Sequence, residues 1–110
     1  MGHGARWGLA KVRGASMTPT LAPGDRLLVR YGATVLPGDV VVARFPDGVL
    51  AVKRVEQEDR HFSGAAAWLL ASDNAHAPGA RRAPVRKEAV LAVVRLRLWP
   101  WPGRVRRTAV

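Results

Sequence analysis

Apolar residues come in short runs that Gly, Pro and Asp interrupt every few positions, and no long stretch carries the spacing of an amphipathic helix. The pattern predicts a mainly β domain. Strands are expected over residues 9–13, 26–31, 39–45, 49–56, 68–71 and 89–98. Ala22-Pro23-Gly24-Asp25, Leu36-Pro37-Gly38-Asp39 and Pro46-Asp47-Gly48 bound them as tight turns, because proline fixes φ and glycine permits positive φ. Phe45 and Val49 flank the last of these, so the third and fourth strands are expected to form a hairpin. Residues 72–85, rich in Ala, Pro, Gly and Arg, cannot present an apolar face and read as a surface loop. The prolines of Trp99-Pro100-Trp101-Pro102-Gly103 end the last strand, since neither can donate to a ladder. Residues 1–8 read as a disordered amino terminus and residues 104–110 as a basic tail of low order. No repeat divides the chain, and 110 residues suit one domain, 1–110, around a single core.

The chain carries 18 Lys and Arg against 8 Asp and Glu, a formal net charge of +10. Such an excess suits nucleic acid, an anionic lipid surface or an acidic protein. The arginines are scattered, however, and dense only at Arg81, Arg82 and Arg86 and at Arg104, Arg106 and Arg107, which favours solvated surface charge. Trp7, Tyr31, Phe45, Phe62 and Trp68 do not form the stripe on which single-stranded nucleic acid would stack, so nucleic acid is not an expected partner. Trp99 and Trp101, beside arginines, suit either peripheral membrane contact or, as the preferred reading, a lid on the β core. The absence of cysteine excludes disulfides, thiolate metal sites and a thiol nucleophile. No ligand cluster stands out, so neither a metal nor a cofactor is expected. No apolar run approaches the ~20 residues that cross a bilayer, and the amino terminus lacks the apolar core of a secretory signal. A soluble, cytoplasmic protein is expected.

Candidate chemistry concentrates in Gly14-Ala15-Ser16-Met17-Thr18-Pro19-Thr20-Leu21. A nucleophilic serine needs small residues before it, so that a substrate backbone can approach, and a sharp turn after it that aims backbone N–H groups at the carbonyl oxygen under attack. Gly14 and Ala15 supply the room, and Pro19 helps to fix the turn. Serine also needs a base. His3 lies near the amino terminus, and His61 and His76 sit in polar loop sequence with no strand to hold them, so all three read as solvent-exposed. Lys53 is the alternative. Strand alternation points Val49, Ala51, Lys53 and Val55 to one face, which sets the lysine among apolar neighbours. Burial there would lower its pKa from ~10.4 toward neutrality, where the free amine can accept a proton. The competing reading is an edge-strand lysine that reaches solvent along its own stem. The Ser16 segment tips the balance toward the base.

The strings GASMTPTLAPGDRLLV, PGDVVVAR, LAVKRV and WLLASDN, in this order over residues 11–74, resemble the conserved boxes of the signal peptidase I superfamily of Ser-Lys proteases. Within it, the short form with a WLL-SDN box and an Arg-rich Trp-Pro ending is most similar to nickel-type superoxide dismutase maturation proteases, which trim the leader from the dismutase precursor. The resemblance implies a signal peptidase I and LexA-type catalytic β-fold. It implies Ser16 as nucleophile and Lys53 as general base, with Gly14, Ala15, Ser16 and Met17 around the substrate and the oxyanion. It also implies a supporting loop at Asp73, Asn74 and Arg82, and a protein precursor, nickel superoxide dismutase, as substrate. Met17 packs beside the nucleophile or simply fills the core. Arg54, on the strand face opposite Lys53, reads as structural.

The last box departs from the superfamily pattern. The usual Gly-Asp-Asn is followed by Ser and then Asp-Ser-Arg, which brace the lysine and its loop. Here Pro78, Ala80 and Arg81 stand where Ser, Asp and Ser are expected, and Arg82 aligns with the final arginine. The lysine would lose a hydroxyl partner and the loop a buried ion pair. Either hydroxyls elsewhere substitute or activity is weak, and the weak case leaves open a binding module that has lost catalysis. The superfamily's usual amino-terminal membrane anchor is absent from this sequence, which leads to the expectation of a cytoplasmic substrate. A LexA-type self-cleaving domain would need a cleavage segment upstream of Ser16. Only fifteen residues precede that serine, so self-cleavage is not expected.

Overall fold

Strand alternation and turn chemistry produce eight strands in the computed structural model, which describes residues 6–78, 80 and 82–108. They are β1 (Arg6–Lys11), β2 (Arg26–Tyr31), β3 (Val40–Arg44), β4 (Leu50–Arg60), β5 (Ala66–Ala71), β6 (Ala83–Arg86), β7 (Val90–Trp99) and β8 (Gly103–Arg104). A 3-10 turn, Lys87–Ala89, leads into β7. All pairings are antiparallel, in the order β1-β2-β7-β3-β4-β5-β6, and β8 pairs with the far end of β7. The mainly β expectation is what the structure contains. Among the described residues no helix is long and apolar enough to cross a membrane.

The middle of the sheet is buried on both sides, which explains the continuous apolar runs of β3 and β7. Val40, Val42, Ala92 and Val94 join Val12, Met17, Leu21, Leu27 and Val29 in one cluster. Val41, Ala43 and Val93 point the other way, into a cluster with Phe45, Val55, Trp68, Leu70 and Val85. Period-two alternation thus feeds two cores from the same strands.

The two Pro-Gly-Asp turns work alike. Gly24 and Gly38 adopt φ of 91° and 93° after their prolines, the glycine position of a type II turn. Each following aspartate is buried and closes its turn: Asp25 Oδ2 accepts from Ala22 N at 3.0 Å, and Asp39 Oδ2 from Leu36 N at 2.9 Å. The Pro46-Asp47-Gly48 turn joins β3 to β4 as the expected hairpin, with Phe45 N donating to Val49 O at 3.0 Å. β4 then runs past a register irregularity between Val55 and Gln57 and turns back through a second hairpin into β5.

Four expectations need correction. Arg6, Trp7 and Gly8, assigned to a disordered amino terminus, pair with Tyr31, Arg30 and Val29 of β2, while residues 1–5 lie outside the described part. The expected loop over residues 72–85 ends in β6, where Ala83 and Val85 find partners on β5. Much of the basic tail is tied down: Arg104 is in β8, Val105 N donates to Arg95 O, and Arg107 pairs with buried Asp39 at 2.9 Å. Sequence pattern missed these segments because their partners are distant in the chain. Trp99 and Trp101 do not lid the core; they are 55% and 66% exposed, with Arg26 stacked over Trp99.

Leu27 is fully buried beside Val29 and Val94. Leu27→Ala is expected to cost about 2–5 kcal/mol, read as a lower urea midpoint at unchanged slope.

Candidate active site

Ser16 sits on the loop between β1 and β2, just after Gly14, whose φ of 72° is the left-handed conformation glycine favours. The loop is tightly self-bonded. Thr18 N and Thr18 Oγ1 both donate to Ala15 O, at 3.2 and 2.9 Å, and Leu21 N donates to Met17 O at 2.9 Å. Met17 and Leu21 anchor it, each 1% exposed in the first core cluster. Ser16 is left between this anchor and the open side.

Lys53 reaches the same point from β4. It pairs across strands with Val41, so it shares the face of the second core cluster, as alternation required. Only 5% of the residue is exposed. Its Nζ lies 3.4 Å from Ser16 Oγ and donates to Ser72 Oγ at 2.7 Å. The amine is therefore held between two hydroxyls, one from the loop after β1 and one from the end of β5.

The next residues along both strands brace this pair. Arg54 forms an ion pair with Asp73, Nη2 to Oδ2 at 2.6 Å and Nε to Oδ1 at 3.1 Å, and Thr20 Oγ1 also donates to Asp73 Oδ2. Asn74 N donates to Ser16 O at 2.8 Å, and Asn74 Nδ2 to Thr18 Oγ1 at 3.0 Å. Residues 72–74 thus touch the lysine, its neighbouring arginine and the serine loop in succession.

A cleft of about 590 Å³ opens in front of Ser16 and Lys53. One wall is β1 with Val12 to Gly14, and the other is Val49 to Val52; Tyr31 and Pro78 complete the lining. The walls are two open strand edges. Among the described residues, β1 pairs only with β2, and the first half of β4 pairs only with β3, because β5 begins pairing at Arg54.

A family model described as Peptidase S24-like matches residues 2–94, a span that takes in Ser16, Lys53 and residues 72–74. The chain belongs to the Peptidase S24-like family. Membership supports a serine-peptidase type of function. No curated protein and no solved structure matches the chain.

In this Peptidase S24-like chain the structure brings together Gly14, Ala15, Ser16, Met17, Lys53, Asp73 and Asn74, but not Arg82. The Arg82 guanidinium is 65% exposed and bonds to Glu56 at 2.6 Å, which raises its pKa, while Asp73 of the loop pairs with Arg54. Arg81 lies outside the described residues, as does His3. His61 bonds to Ser63 in the β4–β5 turn, and His76 is exposed; neither approaches Ser16. Met17 contributes its side chain to the core, so what it can offer a substrate is backbone. Sequence reasoning missed Ser72 as the partner of Lys53. The signal was present, since a hydroxyl stood at the box position where glycine is usual, but its reach to Lys53 depends on the pairing of β4 with β5.

Burial alone would raise the Asp73 pKa, yet hydrogen bonds from Arg54 and Thr20 and the Arg54 charge hold it below its ordinary value of 3.8. A carboxyl with a depressed folded pKa adds stability that is fully present above the unfolded value and is lost as pH falls through the folded one. Urea unfolding should therefore show a loss of stability below about pH 4 that is reduced in Asp73→Asn, whose stability at neutral pH should already be lower.

Proposed function

We propose that the protein is a serine endopeptidase working through a Ser16–Lys53 dyad, and that it removes an amino-terminal leader from a protein precursor, nickel superoxide dismutase. The observation that carries the reading is the placement of Lys53 Nζ between Ser16 Oγ and Ser72 Oγ, at the floor of a cleft with two open strand edges. A distance of 3.4 Å from base to nucleophile is what a resting site shows before substrate draws the groups together.

The substrate lies extended between β1 and the first half of β4, so that its backbone bonds to both edges. Ser16 Oγ attacks the scissile carbonyl carbon while its proton passes to the neutral Lys53 amine. The negative charge on the carbonyl oxygen falls to backbone N–H groups of residues 14–17. Collapse of the tetrahedral intermediate breaks the C–N bond, and Lys53 returns the proton to the leaving amine. Water then attacks the acyl-Ser16 ester, giving its proton to Lys53, and as the ester C–O bond breaks the lysine returns that proton to the Ser16 oxygen, restoring the free enzyme. Ser72 is a positioning residue: its hydroxyl accepts from the amine and orients the remaining lone pair toward Ser16. This supports full activity despite Pro78, because the hydroxyl comes from the start of the loop rather than from its middle.

The test is incubation with nickel superoxide dismutase precursor, read by intact mass. The unmodified protein should release the leader, with a rate that rises with pH as the amine loses its proton. Ser16→Ala and Lys53→Ala should each slow release by at least about a thousandfold. Release by Lys53→Ala at the unmodified rate would remove the lysine from the mechanism, and an intact precursor with the unmodified protein would remove this substrate.

A further inference from the structure

Arg54 has partners besides Asp73. Its Nη1 donates to two backbone carbonyls, Gly38 O at 2.9 Å and Arg106 O at 3.0 Å. The second belongs to the carboxy-terminal segment, which lies beyond the residues matched to the family. A buried guanidinium needs an acceptor for each N–H, because an unsatisfied one keeps its full desolvation cost. The tail supplies one of them.

Three further contacts hold that carbonyl in place. Val105 N donates to Arg95 O at 3.0 Å, Arg107 Nε donates to Asp39 Oδ1 at 2.9 Å, and Thr108 N donates to Gly38 O at 3.1 Å. The segment passes so close to the turn before β3 that a Cβ on Gly38 would lie 2.6 Å from both Arg107 Cγ and Thr108 O. Gly38 is thus required twice, for its φ of 93° and for the passage of the tail.

We propose that residues 105–108 form a strap that positions the Ser16–Lys53 pair through Arg54. The strap fixes Arg54, Arg54 fixes Asp73, and the backbone between Ser72 and Asn74 carries that constraint to the lysine amine on one side and the Ser16 carbonyl on the other. Arg106 and Arg107 are positioning residues that touch no substrate. The proposal rests on the dyad reading for its catalytic consequence, and its mechanical part is independent of that reading.

Two full-length variants loosen the strap: Gly38→Ala, which blocks its path, and Arg107→Ala, which cuts its ion pair; Arg107→Lys restores a cation. Two readouts are taken. One is phosphonylation of Ser16 by a fluorophosphonate probe, in which the Ser16 oxygen displaces fluoride from phosphorus, separated into probe affinity and the rate constant of the bound step. The other is hydrogen exchange at the Asn74 amide against core amides such as Val41 and Val93. The strap predicts that the phosphonylation rate constant falls about tenfold in Arg107→Ala and about a hundredfold in Gly38→Ala at unchanged probe affinity. It also predicts faster Asn74 exchange at unchanged core protection, and recovery of most of the loss in Arg107→Lys. Where Gly38→Ala does not fold, Arg107→Ala and its lysine rescue decide alone. Phosphonylation at the unmodified rate in the loosened variants overturns the strap and leaves the dyad standing. If the unmodified protein is not phosphonylated at all, the dyad reading fails, and Asn74 exchange still decides the strap: faster in the variants supports it, unchanged overturns it.

Discussion

The Arg54–Asp73 ion pair is the contact on which the site depends. Its arginine follows Lys53 on β4 and its aspartate follows Ser72 at the end of β5, so closing the pair at 2.6 Å also sets the Lys53–Ser72 hydrogen bond one residue away. Thr20, bonded to the same carboxylate, brings in the serine loop. A buried pair of this kind is a weak source of net stability, since desolvating two charges offsets much of their attraction. Its effect here is geometric: three segments far apart in the sequence are held to one arrangement.

The cleft follows from how the sheet is paired rather than from any special loop. β7 binds β2 along its length and β3 over its first half, and among the described residues the outer edge of β1 pairs with no strand. On β4, pairing passes from β3 on one side to β5 on the other at Arg54, so the residues before Lys53 also keep an open edge. Unpaired strand edges invite other strands. In this chain both edges flank Ser16, where an extended peptide can satisfy them together, and the short β1 and the turn at Gly48 limit what else can pair.

The departure of the last box from the superfamily pattern is absorbed by neighbouring residues. Arg82, which aligned with an arginine that braces the loop, leaves for Glu56 at the surface. Arg54 pairs with Asp73 beside the lysine, and Ser72 contributes the hydroxyl that Pro78 cannot. Position in a motif and position in space are different things, and the same physical requirement, a partner for each buried cation, is met by other side chains.

From the sequence alone, the mainly β character, the limits of β2, the β3–β4 hairpin and the tight Pro-Gly-Asp turns were all legible, because alternation and turn chemistry act between residues close in the chain. So were Ser16 and Lys53 as candidates, through small residues before a serine and a lysine on an apolar strand face. What tertiary structure decided was which distant groups meet. The 3.4 Å approach of Ser16 and Lys53, the choice of Ser72 and Arg54 over Pro78 and Arg82, the pairing of Arg6 to Gly8, and the docking of Arg106 and Arg107 all depend on strand order and register. Those are set by the summed burial of two cores, a property of the whole chain that no local window contains.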